Sequence, residues 1–216
     1  MRFENVREIR VKAINGLISL EVWENDYTEV NYTVHGDVDI ILEQKGDVLK
    51  VEERPKKRFR LFGSREGWAD IEVKVPKRAI VWAKNINGEI KASGIRFTNV
   101  TTVNGDIELR ECEAKLIKTI NGEIRAHMRV DPRKVSTVNG EIELTVEELD
   151  DDMNVNSMNG DATLRLTDFC DARIRAKSVN GDIRFIGIDP DDPVIGAGTF
   201  EVEVSTVNGS VRVELI

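Results

Sequence analysis

The sequence predicts an all-β fold: a single-stranded parallel β-solenoid of about seven two-strand coils with an N-terminal β-hairpin cap region. The main observation is a repeat. The dipeptide Asn-Gly occurs eight times, always after an apolar residue, and from Asn87 onward the intervals are 17, 17, 18, 20, 21 and 28 residues. Self-similarity at such a period is typical of repeat folds rather than of ordinary globular ones.

The second observation is the alternation around each Asn-Gly. Apolar residues stand three and five positions after the asparagine, as at Ile107 and Leu109, and mostly charged residues lie between them. Alternation with a period of two residues indicates a half-buried strand. Another apolar column precedes the asparagine, as at Val100 and Ile117. Each repeat therefore supplies two strands, joined by an Asn-Gly corner at one end and by a corner of variable length at the other.

Glycine permits positive φ at the corner, and asparagine tolerates it better than most residues. An isolated Asn-Gly is typical of a type I′ hairpin, so an antiparallel meander is the rival arrangement. Identical columns stack best when equivalent strands lie parallel and in register, which favours the solenoid. We therefore expect the asparagines to form an amide ladder inside the corners, and the hydroxyl two residues before each to face inward. The ladder residues are Asn87, Asn104, Asn121, Asn139, Asn159, Asn180 and Asn208.

The first third of the chain differs from the rest. Asn15 marks one early coil, and a break of 72 residues (87 minus 15) follows before Asn87. The break holds strand-like segments joined by His35-Gly36-Asp37 and by Gln44-Lys45-Gly46-Asp47, which resemble hairpin connections. We predict a cap region with one early coil and a basic loop over residues 1–80, and the repeat solenoid over residues 81–216.

These features resemble a known family. Glu21-Val22-Trp23, the segment from Trp68 to Pro76 and the repeated Thr-Val-Asn-Gly-Asp/Glu-Ile are similar to the putative-adhesin β-strand-repeat family, a domain of unknown function in bacteria and archaea. The resemblance covers nearly the whole chain. It implies a solenoid fold and, in some members, a link to the cell envelope or to membrane stress. It supplies no catalytic residues.

The sequence contains few motifs of known chemistry. The chain has two histidines, His35 and His127, and no His-Glu-x-x-His, Cys-x-x-Cys, P-loop or Gly-x-Ser-x-Gly pattern. Cys112 and Cys170 fall about three coils apart, roughly 14 Å, which is too far for a disulfide. We therefore expect free thiols and predict no catalytic residue, no metal site and no cofactor. The single glutamine and the dense mixed charge are typical of a thermophile.

Charge is distributed unevenly. Residues 1–80 carry 15 basic and 15 acidic side chains, whereas residues 81–216 carry 16 and 24. The acidic excess, which includes Asp131, lies in the variable corners, where a solvated edge is favoured over a divalent-cation site or acid–base chemistry. Residues 54–62, by contrast, are strongly basic. The sequence favours a solvated loop here; contact with an anionic membrane surface or an acidic partner ranks second, and nucleic-acid binding ranks last. The cations of this segment are Arg54, Lys56, Lys57, Arg58 and Arg60.

The residue before each asparagine is always apolar, although strand alternation does not place it in the core. Either the strand bulges to bury it, or an apolar stripe runs along the outside, where the segment from Thr28 to Val51 or a second copy of the chain would cover it. The unpaired last coil ending at Ile216 is the other candidate for self-association. We therefore predict a non-enzymatic interaction scaffold with a protein partner or itself; the alternative is a carbohydrate-active or other hydrolytic enzyme. With no signal peptide recognised, the expected location is cytoplasmic, free or peripheral to the membrane.

Overall fold

A computed structural model describes residues 1–56 and 67–216. These residues form strands and connections, with no helix among them. The all-β prediction is confirmed. The strands are β1 (Arg2–Phe3), β2 (Glu8–Lys12), β3 (Ile18–Trp23), β4 (Thr28–Gly36), β5 (Val38–Lys45), β6 (Val48–Pro55), β7 (Gly67–Pro76), β8 (Ile80–Lys84), β9 (Ile90–Ser93), β10 (Arg96–Thr101), β11 (Ile107–Lys118), β12 (Ile124–Val130), β13 (Lys134–Ser136), β14 (Ile142–Glu148), β15 (Met153–Asn159), β16 (Ala162–Leu166), β17 (Ala172–Asn180), β18 (Ile183–Ile186), β19 (Val194–Ile195), β20 (Phe200–Asn208) and β21 (Val211–Leu215).

The strands belong to one mixed sheet that contains two rows of hydrogen-bonded strands. The front row runs in the order β1, β4, β7, β3, β9, β11, β12, β14, β16, β21 and β18. The back row runs in the order β5, β6, β2, β8, β10, β11, β13, β15, β20, β17 and β19. Strand β11 belongs to both rows because it turns at Glu111, where φ is 52°.

Each Asn-Gly joins a back-row strand to a front-row strand, and equivalent strands of neighbouring coils pair parallel and in register. Ile124, for example, lies beside Ile107 on one side and Ile142 on the other. The inward residues of both rows form one continuous hydrophobic cluster, and Ile117 and Ile124 are fully buried within it. Fully burying one such aliphatic side chain is worth about 1.5–3 kcal/mol, so stacking supplies the stability that a single coil lacks.

The predicted parallel solenoid with a hairpin cap is confirmed as an all-β, solenoid-like fold, but the sheet is mixed and not clearly a parallel single-stranded solenoid. Four pairings among the described strands are antiparallel, namely β1–β4, β4–β7, β5–β6 and β17–β19. The hairpin expected at Gln44–Asp47 is present between β5 and β6. The connection at His35–Asp37 is not a hairpin, since it carries the chain from β4 in the front row to β5 in the back row.

The coils do not stack in sequence order. The first coil, β2 and β3, lies between the strands β6–β7 and β8–β9. The last coil, β20 and β21, lies between β15–β16 and β17–β18. The end of the stack is therefore the coil with Asn180, and the expectation of an unpaired last coil ending at Ile216 is wrong. The long interval between Asn180 and Asn208 provides the chain that returns to the gap.

One core passes through both predicted regions, and the boundary at residue 80 stays a prediction.

Both cysteines are buried free thiols, as expected. Burial raises the pKa of the Cys112 thiol and of the Cys170 thiol, which disfavours the reactive thiolate. Among the described residues no helix has the length and hydropathy needed to cross a membrane.

Candidate functional site

The Asn-Gly corners align along one edge of the stack, and their side-chain amides form the predicted ladder. Asn121 donates from Nδ2 to Oδ1 of Asn104 at 2.7 Å and accepts from Nδ2 of Asn139 at 2.7 Å. The same bond, at 2.7–2.9 Å, links all eight asparagines in the spatial order Asn15, Asn87, Asn104, Asn121, Asn139, Asn159, Asn208 and Asn180. Every amide points the same way. Seven of the eight side chains are exposed, Asn15 being half-buried, so the ladder faces solvent rather than the interior.

The glycine beside each asparagine is required because the corners approach closely. A Cβ placed on Gly105, where φ is +159°, would lie 2.1 Å from the carbonyl oxygen of Gly88. The hydroxyl column secures the same carbonyls: Thr119 Oγ1 donates to the oxygen of Gly105 at 3.1 Å, and Thr119 is fully buried. Asn85 belongs to the same column, although it has an amide in place of a hydroxyl and the sequence pattern did not include it. Its Nδ2 donates to Gly16 O at 2.8 Å.

The two ends of the asparagine ladder differ. At the first end, Asn15 Nδ2 donates to Gly67 O at 3.0 Å, and the carboxylate of Glu53 accepts the backbone N–H groups of Ile14 and Asn15 at 2.6 and 2.9 Å. Glu53 thus replaces the carbonyl that a preceding coil would provide. At the other end, Asn180 donates to Asn208 at 2.8 Å, and among the described residues nothing donates to Asn180 Oδ1.

An apolar row accompanies the asparagines on the outside of the edge, which decides between the two arrangements that strand alternation left open. Met158 is 50% exposed, Val207 41% and Val179 73%, with Ile120 at 36%. The other members are half-buried. We call this surface the corner ridge; in spatial order its apolar row is Ile14, Ile86, Val103, Ile120, Val138, Met158, Val207 and Val179.

Charged rows lie on both sides of the corner ridge. Two residues after the asparagine stands an acidic row, which contains Glu89, Asp106, Glu123, Glu141, Asp161 and Asp182. Three residues before the asparagine stands a row of lysines and small polar residues, whose lysines are Lys12, Lys84, Lys118 and Lys177. The edge therefore carries the apolar row and the asparagine ladder along its centre, with the acidic row on one side and the row that contains the four lysines on the other.

We expect Asn121→Asp to lower the stability by about 1–2 kcal/mol, because it removes one donor and sets a carboxylate against Asn104 Oδ1. Asn104 cannot reverse its amide alone, since its own Nδ2 already donates to Asn87 at 2.8 Å. Urea unfolding measures the loss. Asn99→Asp, on β10 outside the ladder, is the control, and an equal loss in both variants would remove the ladder's energetic role.

The predicted basic segment begins at the first end of the stack. Arg54 pairs with Glu52, with Nη2 at 2.6 Å from Oε2, and Lys56 Nζ lies 3.5 Å from Asp39 Oδ1. Two of the five cations thus have carboxylate neighbours in the same chain. Lys57, Arg58 and Arg60 lie outside the described residues, and the proposed anionic contact stays a prediction.

One acidic residue of the variable corners, Asp131, does not lie on a solvated edge as the sequence predicted. Asp131 is only 6% exposed, and its Oδ1 accepts the N–H groups of Asp150 and Asp151 at 2.7 and 3.3 Å. Its Oδ2 is buried and without a partner among the described residues. Burial raises the pKa of Asp131 to about 6, and the carboxyl group of Asp150 contributes in the same direction. The only hint in the sequence was its position between Val130 and Pro132.

Asp131 lies in a cleft of about 290 Å³ at the variable corners. Phe97 and Ala114 contribute apolar surface, whereas Lys115, Arg133 and Asp150 contribute charge. In residues 1–56 and 67–216 no cluster of three or more histidine, cysteine, aspartate or glutamate side chains could hold a metal ion. His127 Nε2 contacts Glu147 Oε1 at 2.8 Å on the surface, and His35 stacks on Trp68 with ring centroids 4.8 Å apart.

The protein is therefore an all-β, solenoid-like stack of coils, in which the repeated Asn-Gly corners form one long edge. The family model that matches residues 4–214 is Toastrack DUF4097, so the chain belongs to the Toastrack DUF4097 family, whose function is unknown. No curated protein matches the chain.

Two solved structures are similar. A putative adhesin from Bacteroides fragilis has 11% sequence identity and a TM-score of 0.52, with 100% of this chain and 95% of that chain covered. A putative cell adhesion protein from Clostridium sporogenes has 13% identity and a TM-score of 0.39, with 99% and 94% covered. At 11% identity, the similarity to the Bacteroides protein shows a common fold and nothing about function.

Proposed function

We propose that the protein is a non-enzymatic β-solenoid interaction scaffold whose corner ridge binds a protein partner, and that this partner is a second copy of the chain. The observation that carries the proposal is the exposed apolar row of the ridge. Eight levels separated by seven steps of about 4.8 Å give a row about 34 Å long. A row of exposed and half-buried apolar side chains of this length is typical of an interaction site.

The charged rows favour a second copy over an unrelated partner. If two copies pair ridge to ridge about a two-fold axis parallel to the stack, each acidic row faces the lysine row of the other copy at the same level. Glu89 then faces the partner's Lys84, and Glu123 faces the partner's Lys118. The remaining acidic levels face threonine, serine, asparagine or the partner's Lys177. An antiparallel pairing would instead place the two acidic rows together, which costs free energy.

Met158→Asp tests the apolar row. We expect the parent chain to be a dimer by light scattering and the variant to be a folded monomer, because a charge would be buried in the interface. Phe169→Asp is the matched control, since Phe169 is 80% exposed but lies outside the ridge. A monomeric parent over the accessible concentration range contradicts the proposal, as does equal dissociation in the control.

A charge reversal tests the register. Lys118→Glu places like charges opposite each other at two symmetric positions and should weaken the dimer about tenfold or more. The double variant Lys118→Glu with Glu123→Lys restores opposite charges and should regain most of the affinity. Sedimentation equilibrium measures both. A double variant as weak as the single one argues against the in-register pairing.

The similar protein from Bacteroides fragilis is described as a putative adhesin, which supports a role in protein binding. A hydrolytic enzyme is the second candidate, favoured by the raised pKa of Asp131 inside a cleft. Release of reducing ends from polysaccharides that disappears in Asp131→Asn would favour the enzyme over the scaffold.

A further inference from the structure

The eight Asn-Gly corners have the same dipeptide but not the same environment at the glycine nitrogen. In seven corners the glycine N–H donates to the backbone carbonyl of the next asparagine along the stack, at 2.9–3.1 Å. The eighth is Asn180-Gly181, in the coil that ends the stack. Within the described residues the N–H of Gly181 has no acceptor, and both Asn180 and Gly181 are exposed.

We propose that Asn180 is a site of spontaneous covalent modification, deamidation through a succinimide, from which the stack protects the other seven asparagines. The Gly181 nitrogen, after losing its proton to solvent base, attacks Cγ of Asn180. The new N–Cγ bond closes a five-membered ring, and the Cγ–Nδ2 bond breaks as the nitrogen takes a proton from water and leaves as ammonia. One water molecule then opens the ring to aspartate or isoaspartate. The reaction needs no group besides water.

Three features of the interior corners oppose this chemistry. The glycine nitrogen must break its bond to the next coil before it can attack. The asparagine amide must rotate toward that nitrogen, which breaks one bond at Nδ2 and another at Oδ1, as Asn121 illustrates. The corner backbone must also move, although neighbouring coils confine it on both sides. For Asn180 only the bond to Asn208 restrains the amide, and the corner has one neighbour.

The opposite end of the ladder provides a stringent comparison. Asn15 also lies near a stack end, yet Gly67 O holds its Nδ2 and Glu53 holds its N–H. Gly16 N donates to Asn87 O at 3.1 Å. Asn15 should therefore react at the slow rate of the interior sites, and proximity to an end is not the deciding factor. The proposed dimer would cover all eight corners of the ridge alike, so it does not alter the comparison among them.

Peptide mapping by mass spectrometry tests the proposal. The folded chain is incubated in mildly alkaline buffer, and the deamidated and isoaspartyl fraction is followed at all eight sites; the same measurement in denaturant gives the intrinsic rate of each sequence. We expect the folded-to-unfolded rate ratio at Asn180 to exceed that at each other site by about tenfold or more, since local opening controls the protected sites.

Asn180→Ser supplies the matched control, because it removes the reactive amide and leaves Gly181 in place. Gly181 itself cannot be exchanged cleanly, since a Cβ there would lie 2.0 Å from Gly209 O. In Asn180→Ser the total deamidation of the folded chain should fall by most of its value. Equal ratios at all eight sites, or faster reaction at Asn15 or at an interior site, would overturn the proposal.

Discussion

Gly105→Ala is expected to destabilise the protein by about 3–6 kcal/mol, which is a large share of the stability of a typical domain. The added Cβ would lie 2.1 Å from Gly88 O, and backbone cannot move aside as a flexible side chain can. Gly105 is held on its other side as well, because its N–H donates to Asn121 O at 2.9 Å and its carbonyl accepts from Thr119. Relief of the overlap therefore requires the loss of hydrogen bonds between coils.

Gly46→Ala is the control for this effect. Gly46 has φ of +61° in the β5–β6 hairpin, and a Cβ there would meet nothing within 4 Å. It therefore bears the left-handed backbone cost of about 1–2 kcal/mol without any overlap. Urea midpoints of both variants, together with hydrogen exchange over residues 104–122, separate the cost of the steric overlap from the cost of the left-handed backbone. A loss no larger in Gly105→Ala than in Gly46→Ala would contradict the close approach of the corners.

Asp131→Asn is expected to stabilise the protein by about 1–3 kcal/mol at neutral pH and to have little effect below about pH 4. Burial raises the pKa of Asp131 from 3.8 to about 6 in the folded state. Below pH 3.8 the carboxyl group is protonated in both states and folding carries no penalty. As the pH rises to about 6, the unfolded chain releases the proton first, and stability falls. Above that pH the penalty is constant.

The variant removes the charge and keeps an oxygen that can accept the N–H of Asp150, now at 2.7 Å from Asp131 Oδ1. Thermal unfolding measured from acid to neutral pH in both proteins gives the difference curve. Asp191→Asn, in an exposed connection, controls for the general loss of one negative charge. A constant difference across the whole pH range would mean that Asp131 titrates as an ordinary surface carboxylate.

The repeat and its corners could be predicted from the sequence because they depend on local constraints. Only glycine fits at a corner such as Gly105, because a Cβ there would lie 2.1 Å from Gly88 O, and period-two alternation assigns Ile107 and Leu109 to the core. Both signals are written in neighbouring residues. The exposed apolar row could likewise be named, although its side of the strand stayed open until the structure placed Met158 and Val179 outside.

The tertiary structure alone decided the order in which coils stack, since every coil carries the same columns and can pair with any other. The coil of Asn208 therefore fits between those of Asn159 and Asn180 without any change in local pattern. Burial of Asp131 and the cap formed by Glu53 depend on groups 19 and 39 residues away, Asp150 and Ile14. The sequence determined what each coil is, because local sterics and alternation act within it. Only long-range packing determined which coil ends the stack and leaves Asn180 exposed.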